Sequence, residues 1–200
     1  MGYHLPYSHA PAAAHALPVL GTVRNPWAYY VSWYAFQSAM PTPNPLFRLV
    51  SDEGRRDFAQ TLRDLLALES SEGIRRLRAV LPERFPGRGL NLTRECVTSW
   101  QDTGVGFYSF LYRRMYAGCT NLSLLGTDDL RAGLARFLVA NGIPLTELQR
   151  ERLEAAPPAN TSRHAHYSRY YDADLRDLVA ERDADLIRTH DYRFECMNEA

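Results

Sequence analysis

Residues 17–27 read LPVLGTVRNPW, and their five central positions, Val19–Val23, form a short apolar, β-branched run bounded by Pro18 and Arg24. That pattern predicts a central parallel strand covered on both faces. Asn25-Pro26 then starts a helix, since Asn is a favoured N-cap and Pro fits the first helical turn. Trp27, Tyr30, Val31, Tyr34, Ala35 and Ser38 follow at three-to-four spacing and predict one buried stripe along it. A strand, a corner and a helix in immediate succession point to an α/β layer.

The rest of the chain is heavier in helix than in strand. The first sixteen residues, with His4, His9 and His15, read as loop with a short helix. Pro41, Pro43 and Pro45 break the chain, after which Phe58, Leu62, Leu65 and Leu66 repeat at helical spacing and Ile74, Leu77 and Leu81 mark a shorter amphipathic piece. Thr93 leads toward a longer helix through Val105, Tyr108, Leu111, Tyr112 and Tyr116, closed by Gly118. Asn121–Leu125 reads as a second strand. Thr127 or Asp128 caps a helix through Leu130, Leu134, Phe137 and Leu138, and Pro157-Pro158 closes a further short one. Asp172 caps the last helix, buried through Leu175, Leu178, Val179, Leu186 and Ile187. No period of twenty to fifty residues recurs, which excludes a solenoid.

Composition narrows the partners. Lys plus Arg equals Asp plus Glu at 23 each, so no global field favours nucleic acid or a membrane surface, and an anion site has to be built locally. Residues 1–200 read as a single domain with enough apolar content, 46%, to bury a core. Cys96, Cys119 and Cys196 are odd in number and lack metal-ligand spacing, which suits a reducing compartment, and neither a membrane span nor a signal peptide is visible. A cytoplasmic protein is expected. The sequons at Asn91, Asn121 and Asn160 read as chance matches to a loose pattern.

The chemistry concentrates at the corner. Ligands of open parallel sheets bind beyond the carboxyl ends of strands, where helix N-termini turn free N–H groups toward anions. Arg24 occupies that place and can hold a phosphate through two parallel bonds; Ser32, two turns into the helix and away from the apolar stripe, can add a hydroxyl donor. An arginine paired with a carboxylate and a solvent-facing serine are the ordinary alternative.

The stretch TVRNPWAYYVSWYAF resembles the 3′-phosphate-binding segment of sulfotransferases that use 3′-phosphoadenosine 5′-phosphosulfate (PAPS). The resemblance implies that Arg24 and Ser32 hold the nucleotide's 3′-phosphate. GYHLPYS at residues 2–8 is similar to a His-Leu-Pro segment upstream of that arginine, which makes His4 the general base. APPANTSRHAHYSRYYDADLRDLVAERDADLIRTHDYRFE is similar to the C-terminal region of bacterial and carbohydrate-type members, where an Asn-x-Ser-Arg element precedes a Tyr-Tyr-Asp helix start and closes over the nucleotide; Arg163 is then a second phosphate contact. The implied fold is a helix-rich α/β, P-loop-NTPase-like sulfotransferase fold with a short parallel sheet. The implied reaction moves a sulfuryl group from PAPS to an acceptor hydroxyl of a carbohydrate, lipid or small molecule, without a metal. His164 and His166, two residues apart with no third ligand nearby, fall short of a zinc pattern.

One family part is missing from the sequence. No strand with a Gly/Ser/Thr-rich loop for the 5′-phosphosulfate precedes His4, so the expectation is an N-terminally incomplete domain or, alternatively, a catalytically inactive nucleotide-binding or interaction domain on the same fold. Without that strand, Val19–Val23 is expected to lack one ladder partner. A kinase-like transferase would need metal-holding carboxylates beside a phosphate loop, and Asp128 and Asp129 read instead as helix-cap charges.

Overall fold

The computed structural model describes residues 5–86, 89, 91–157 and 163–196. In chain order its elements are β1 (Val19–Val23), α1 (Pro26–Ser38), α2 (Pro45–Val50), α3 (Phe58–Ala67), α4 (Ser71–Val80), α5 (Phe107–Tyr116), β2 (Leu122–Gly126), α6 (Leu130–Ala140), α7 (Glu147–Ala155), α8 (Ala173–Arg182) and α9 (Ala184–Thr189). Short 3₁₀ turns join several of them. The chain is helix-rich α/β, and it divides into two compact units. One comprises residues 5–6, 25–86, 89, 91–115 and 163–196; the other comprises 7–24 and 116–157.

The first unit is a helical assembly around an aromatic core. Its helices start where side chains can take the orphan N–H groups of the first turn: Asn25 accepts from Trp27 N, Asn44 from Phe47 N, Ser70 from Gly73 N and Asp172 from Leu175 N, while Asp57 and Gln60 form a reciprocal capping box. Trp100 stacks on Phe110 with ring centroids 5.2 Å apart, Trp33 meets Phe47 edge-on at 5.4 Å, and Phe58 takes Tyr170 and Tyr171 on its edges at 5.4 and 5.2 Å. Leu62, Leu65, Leu66, Ile74 and Leu77 bury the faces that their spacing predicts.

Four expectations are corrected here. The stripe on α1 is broader than predicted: Pro26, Trp27, Ala28, Tyr30, Val31, Trp33 and Gln37 are buried, whereas Ser38 is exposed. Pro45 does not simply break the chain but occupies the first turn of α2, where its missing N–H costs nothing. The helix expected from Thr93 begins only at Phe107, because Asp102 (φ 52°) and Gly104 (φ 69°) adopt left-handed backbone that no helix continues through. The helix after Asp172 is split at Asp183, which separates α8 from α9 and leaves Ile187 only half-buried.

Between α4 and α5, just ahead of the 3₁₀ turn Cys96–Trp100, Thr93 and Cys96 make a reciprocal pair of side-chain bonds resembling a capping box. Thr93 Oγ1 accepts from Cys96 N at 3.3 Å, and Cys96 Sγ accepts from Thr93 N at 3.1 Å, so a sulfur fills the place a Glu carboxylate takes in the ordinary box.

The second unit rests on two parallel strands in register from Val19 opposite Leu122 to Val23 opposite Gly126. The strand positions agree with the sequence reading, but full coverage does not: Thr22 is exposed while Gly21 and Val23 are buried. Since Val19 N donates to Asn121 O, alternation turns the N–H and C=O of Thr22 to the other edge of β1. There the Tyr116 hydroxyl accepts from Thr22 N at 3.1 Å and donates to Thr22 O at 3.4 Å. A phenol thus stands in for a third strand at one residue. Gly21 makes room for it, since a Cβ at that position would lie 2.5 Å from the Tyr116 oxygen.

On the same unit α6 packs against β2 through Gly133, where a Cβ would meet the Leu125 side chain at 2.7 Å. The expected cap by Thr127 or Asp128 is replaced by a 3₁₀ turn, Thr127–Asp129, and Asp129 at the head of α6 pairs with Arg136 instead of capping. Thr146 and Gln149 form a capping box on α7.

Candidate functional site

Asn25 and Pro26 put α1 immediately after the strand, as the sequence predicts, with Asn25 Oδ1 3.1 Å from Trp27 N. Arg24 is half-buried and is the last residue of its segment of the second unit; Ser32 is half-buried on α1 in the first unit. Neither of the two is without a partner. Arg163 is exposed at the start of the described segment 163–196 of the first unit. His4 lies outside the described residues.

The platform that carries Ser32 is held from several sides. Trp27 Nε1 donates to Arg176 O at 3.0 Å, Tyr171 OH donates to Trp27 O at 3.0 Å, and Asn25 Nδ2 donates to Arg193 O at 2.9 Å. The strongest anchor is central. Tyr30 OH donates to Asp183 Oδ2 at 2.7 Å and accepts from Tyr108 N at 3.0 Å, while Asp183 Oδ1 accepts from Ser109 N at 2.9 Å. One buried carboxylate, directly and through a phenol, therefore takes two orphan N–H groups at the start of α5, a cap supplied from a distant part of the chain.

This network explains the split between α8 and α9, because Asp183 turns its side chain inward instead of capping α9. Burial raises the Asp183 pKa, and its hydrogen bonds from Ser109 and Tyr30 oppose the rise without cancelling it. The Tyr30 hydroxyl is pushed up by burial and by Asp183, and Tyr29, stacked on Tyr108 at 3.8 Å, is pushed up chiefly by burial. Both phenols stay protonated at neutral pH, and Tyr30 acts as a structural donor to Asp183. Gly106 is the matching space: a Cβ there would lie 2.6 Å from the Asp183 carboxylate, and Gly106 N itself donates to Arg182 O at 2.7 Å. Sequence periodicity hides this centre, since an Asp within a helical pattern reads as one more solvent-facing charge.

The aromatic side chains of this region pack on one another, with Trp27 and Tyr167 buried and Tyr171 and Phe194 half-buried. Phe194 meets Trp27, Tyr167 and Tyr171 edge-on at 5.5, 5.4 and 5.7 Å. His166 Nδ1 accepts from Ser168 N and caps a 3₁₀ turn, and His164 Nδ1 faces the Ala165 carbonyl at 2.7 Å. Among the described residues no group of three His, Cys, Asp or Glu side chains is placed to hold a metal ion. None of the described helices is long and apolar enough to cross a membrane.

A scan against protein-family models, a search of curated proteins and a search of solved structures each return no match to this chain.

Proposed function

We propose that the chain binds a 3′-phosphorylated adenine nucleotide and acts as a PAPS-dependent sulfotransferase on an acceptor hydroxyl. The observation that carries the reading is local. Arg24 directly follows the carboxyl end of a parallel strand and directly precedes a helix that begins with Asn25 as cap and Pro26 at its first position. Strand ends followed by helix N-termini are where anions are commonly bound, and a guanidinium adds charge and two parallel donors there. In this reading Arg24 and Ser32 hold the 3′-phosphate and Arg163 adds a second charge. His4 takes the acceptor proton as the new S–O bond forms and the bond to the 5′-phosphate breaks. Positioning and charge stabilisation carry most of the rate.

Titration with 3′-phosphoadenosine 5′-phosphate against AMP tests it. The 3′-phosphate should strengthen binding by roughly 10-fold or more, and Arg24→Gln or Ser32→Ala should remove that gain while leaving AMP unchanged. Equal affinity for the two nucleotides, or none for either, rejects the assignment. If transfer occurs, His4→Ala should lower kcat by about 10²–10⁴ without weakening nucleotide binding.

One observation favours the non-catalytic alternative, a nucleotide-binding or interaction domain. The edge of β1 where a further strand would pair is engaged at Thr22 by Tyr116. Nucleotide binding without sulfuryl transfer to any hydroxyl acceptor would select that reading.

A further inference from the structure

Past α9 the chain turns at Asp191 and runs back over the start of α1. Asp191 holds a left-handed φ of 49°, and Tyr192 N donates to Ile187 O at 3.0 Å, the bond that closes a helix when the residue before the donor is left-handed. Glycine ordinarily fills that place because a side chain there is strained, so the turn is held against a conformational cost at Asp191. Beyond Tyr192, among the described residues, no backbone-to-backbone bond joins 193–196 to the rest of the chain. Arg193, Glu195 and Cys196 are exposed.

Side chains hold the segment instead. Asn25 Nδ2 donates to Arg193 O at 2.9 Å, the Phe194 ring enters a box of Trp27, Tyr167 and Tyr171 and meets each of them edge-on, and the Tyr167 hydroxyl accepts from Glu195 N at 2.7 Å. The box does not depend on its occupant. Trp27 Nε1 is fixed on Arg176 O, the Tyr171 hydroxyl on Trp27 O, and the Tyr171 ring on Phe58 at 5.2 Å, all through contacts outside the segment. A carbonyl, a ring and an N–H on successive residues are thus read by a donor, an aromatic pocket and an acceptor whose positions other bonds set.

We propose that residues 192–196 are a latch, hinged at Asp191, that opens while the rest of the first unit stays folded, and that the open box takes an extended peptide segment of a partner carrying the same carbonyl, aromatic ring and N–H. The latch is the internal ligand that keeps this site closed. Its hold consists of a half-buried ring and the bonds to Asn25 and Tyr167, and the strain at the hinge works against them. The open fraction is therefore set by a local balance and not by the core. Every residue named belongs to the first unit, and the proposal does not depend on the nucleotide reading.

Fluorescence polarisation with a labelled, end-capped DYRFE peptide, together with hydrogen exchange of the full chain, tests it. Phe194→Ala should bind the peptide saturably at about millimolar concentration or below, and the peptide with Ala in place of Phe should not bind. The unaltered chain should bind about 10-fold more weakly than Phe194→Ala, because only its open fraction is competent. The hinge lies outside the box and separates a latch from ordinary packing. Asp191→Gly should weaken peptide binding roughly 2- to 5-fold and slow exchange of the Glu195 amide, whereas Asp191→Val, poorly suited to a left-handed turn, should do the reverse. If Phe194→Ala does not fold, Asp191→Val carries the binding comparison. The proposal fails if the Glu195 amide of the unaltered chain exchanges only through global unfolding, if neither variant binds the peptide better than the unaltered chain, or if replacing the peptide's Phe changes nothing.

Discussion

The two units solve the same problem by different means. Among the described residues, every buried apolar side chain except Val23 belongs to the first unit. The second presents Leu17, Leu130, Val139, Ile143 and Leu148 to solvent and holds its parallel strands through backbone ladder bonds and single contacts such as Tyr116 on Thr22. The first unit is stabilised by area removed from water, at roughly 25 cal/mol per Å². The second depends on hydrogen bonds that each contribute about 1 kcal/mol net. Local opening should therefore be frequent in the second unit and rare in the first.

The sharpest way to break that contrast is at Asp183. Asp183→Ala strips the acceptor from Tyr30 and from the start of α5 and should cost the first unit about 3–5 kcal/mol in denaturant unfolding, with the second unit's amides exchanging as before. A loss below about 1 kcal/mol would mean the core does not need its buried acid.

The same residue gives a pH signature. Its folded pKa lies above the ordinary value of 3.8, so between the two values the folded state holds the extra proton. Its contribution to stability is full below 3.8 and falls as pH rises through the folded pKa. A stability profile that rises through this window after correction with Asp183→Asn would contradict the burial argument. Gly106→Ala should come next, costing roughly 1–3 kcal/mol because its methyl group collides with a carboxylate that has nowhere to go.

In the second unit the expected effects are smaller and more local. Tyr116→Phe should cost about 1 kcal/mol and speed hydrogen exchange at Thr22 above all other β1 amides. Uniform acceleration along β1 would show that the phenol supports the sheet generally rather than one residue of its edge.

Local signals in the sequence carried much of this architecture. The β1 run, the Asn25-Pro26 start of α1, the Asp172 cap of α8 and the apolar spacing of α3 and α4 are short-range features, and short-range chemistry decides them. What escaped notice depends on distant partners. Asp183 caps α5 from more than seventy positions away, and Tyr116 completes an edge more than ninety positions away. Neither contact leaves a periodic trace. At the corner, the strand end and the helix cap were legible around Arg24, while the fit of Gly106 against the Asp183 carboxylate was not, because helical pattern reports only which face is buried.

Gly21 and Tyr116 form an interlock with a further consequence. The ring can straddle the strand only because the residue beneath it has no side chain, so the two positions are not independent. Enlarging Gly21 should displace the ring and forfeit whatever the hydroxyl contributes, which makes the subsequent loss of that hydroxyl nearly silent. With the ring displaced, Thr22 would offer a bare amide and carbonyl to any extended peptide that met it, and the edge of β1 would become an adhesive seam.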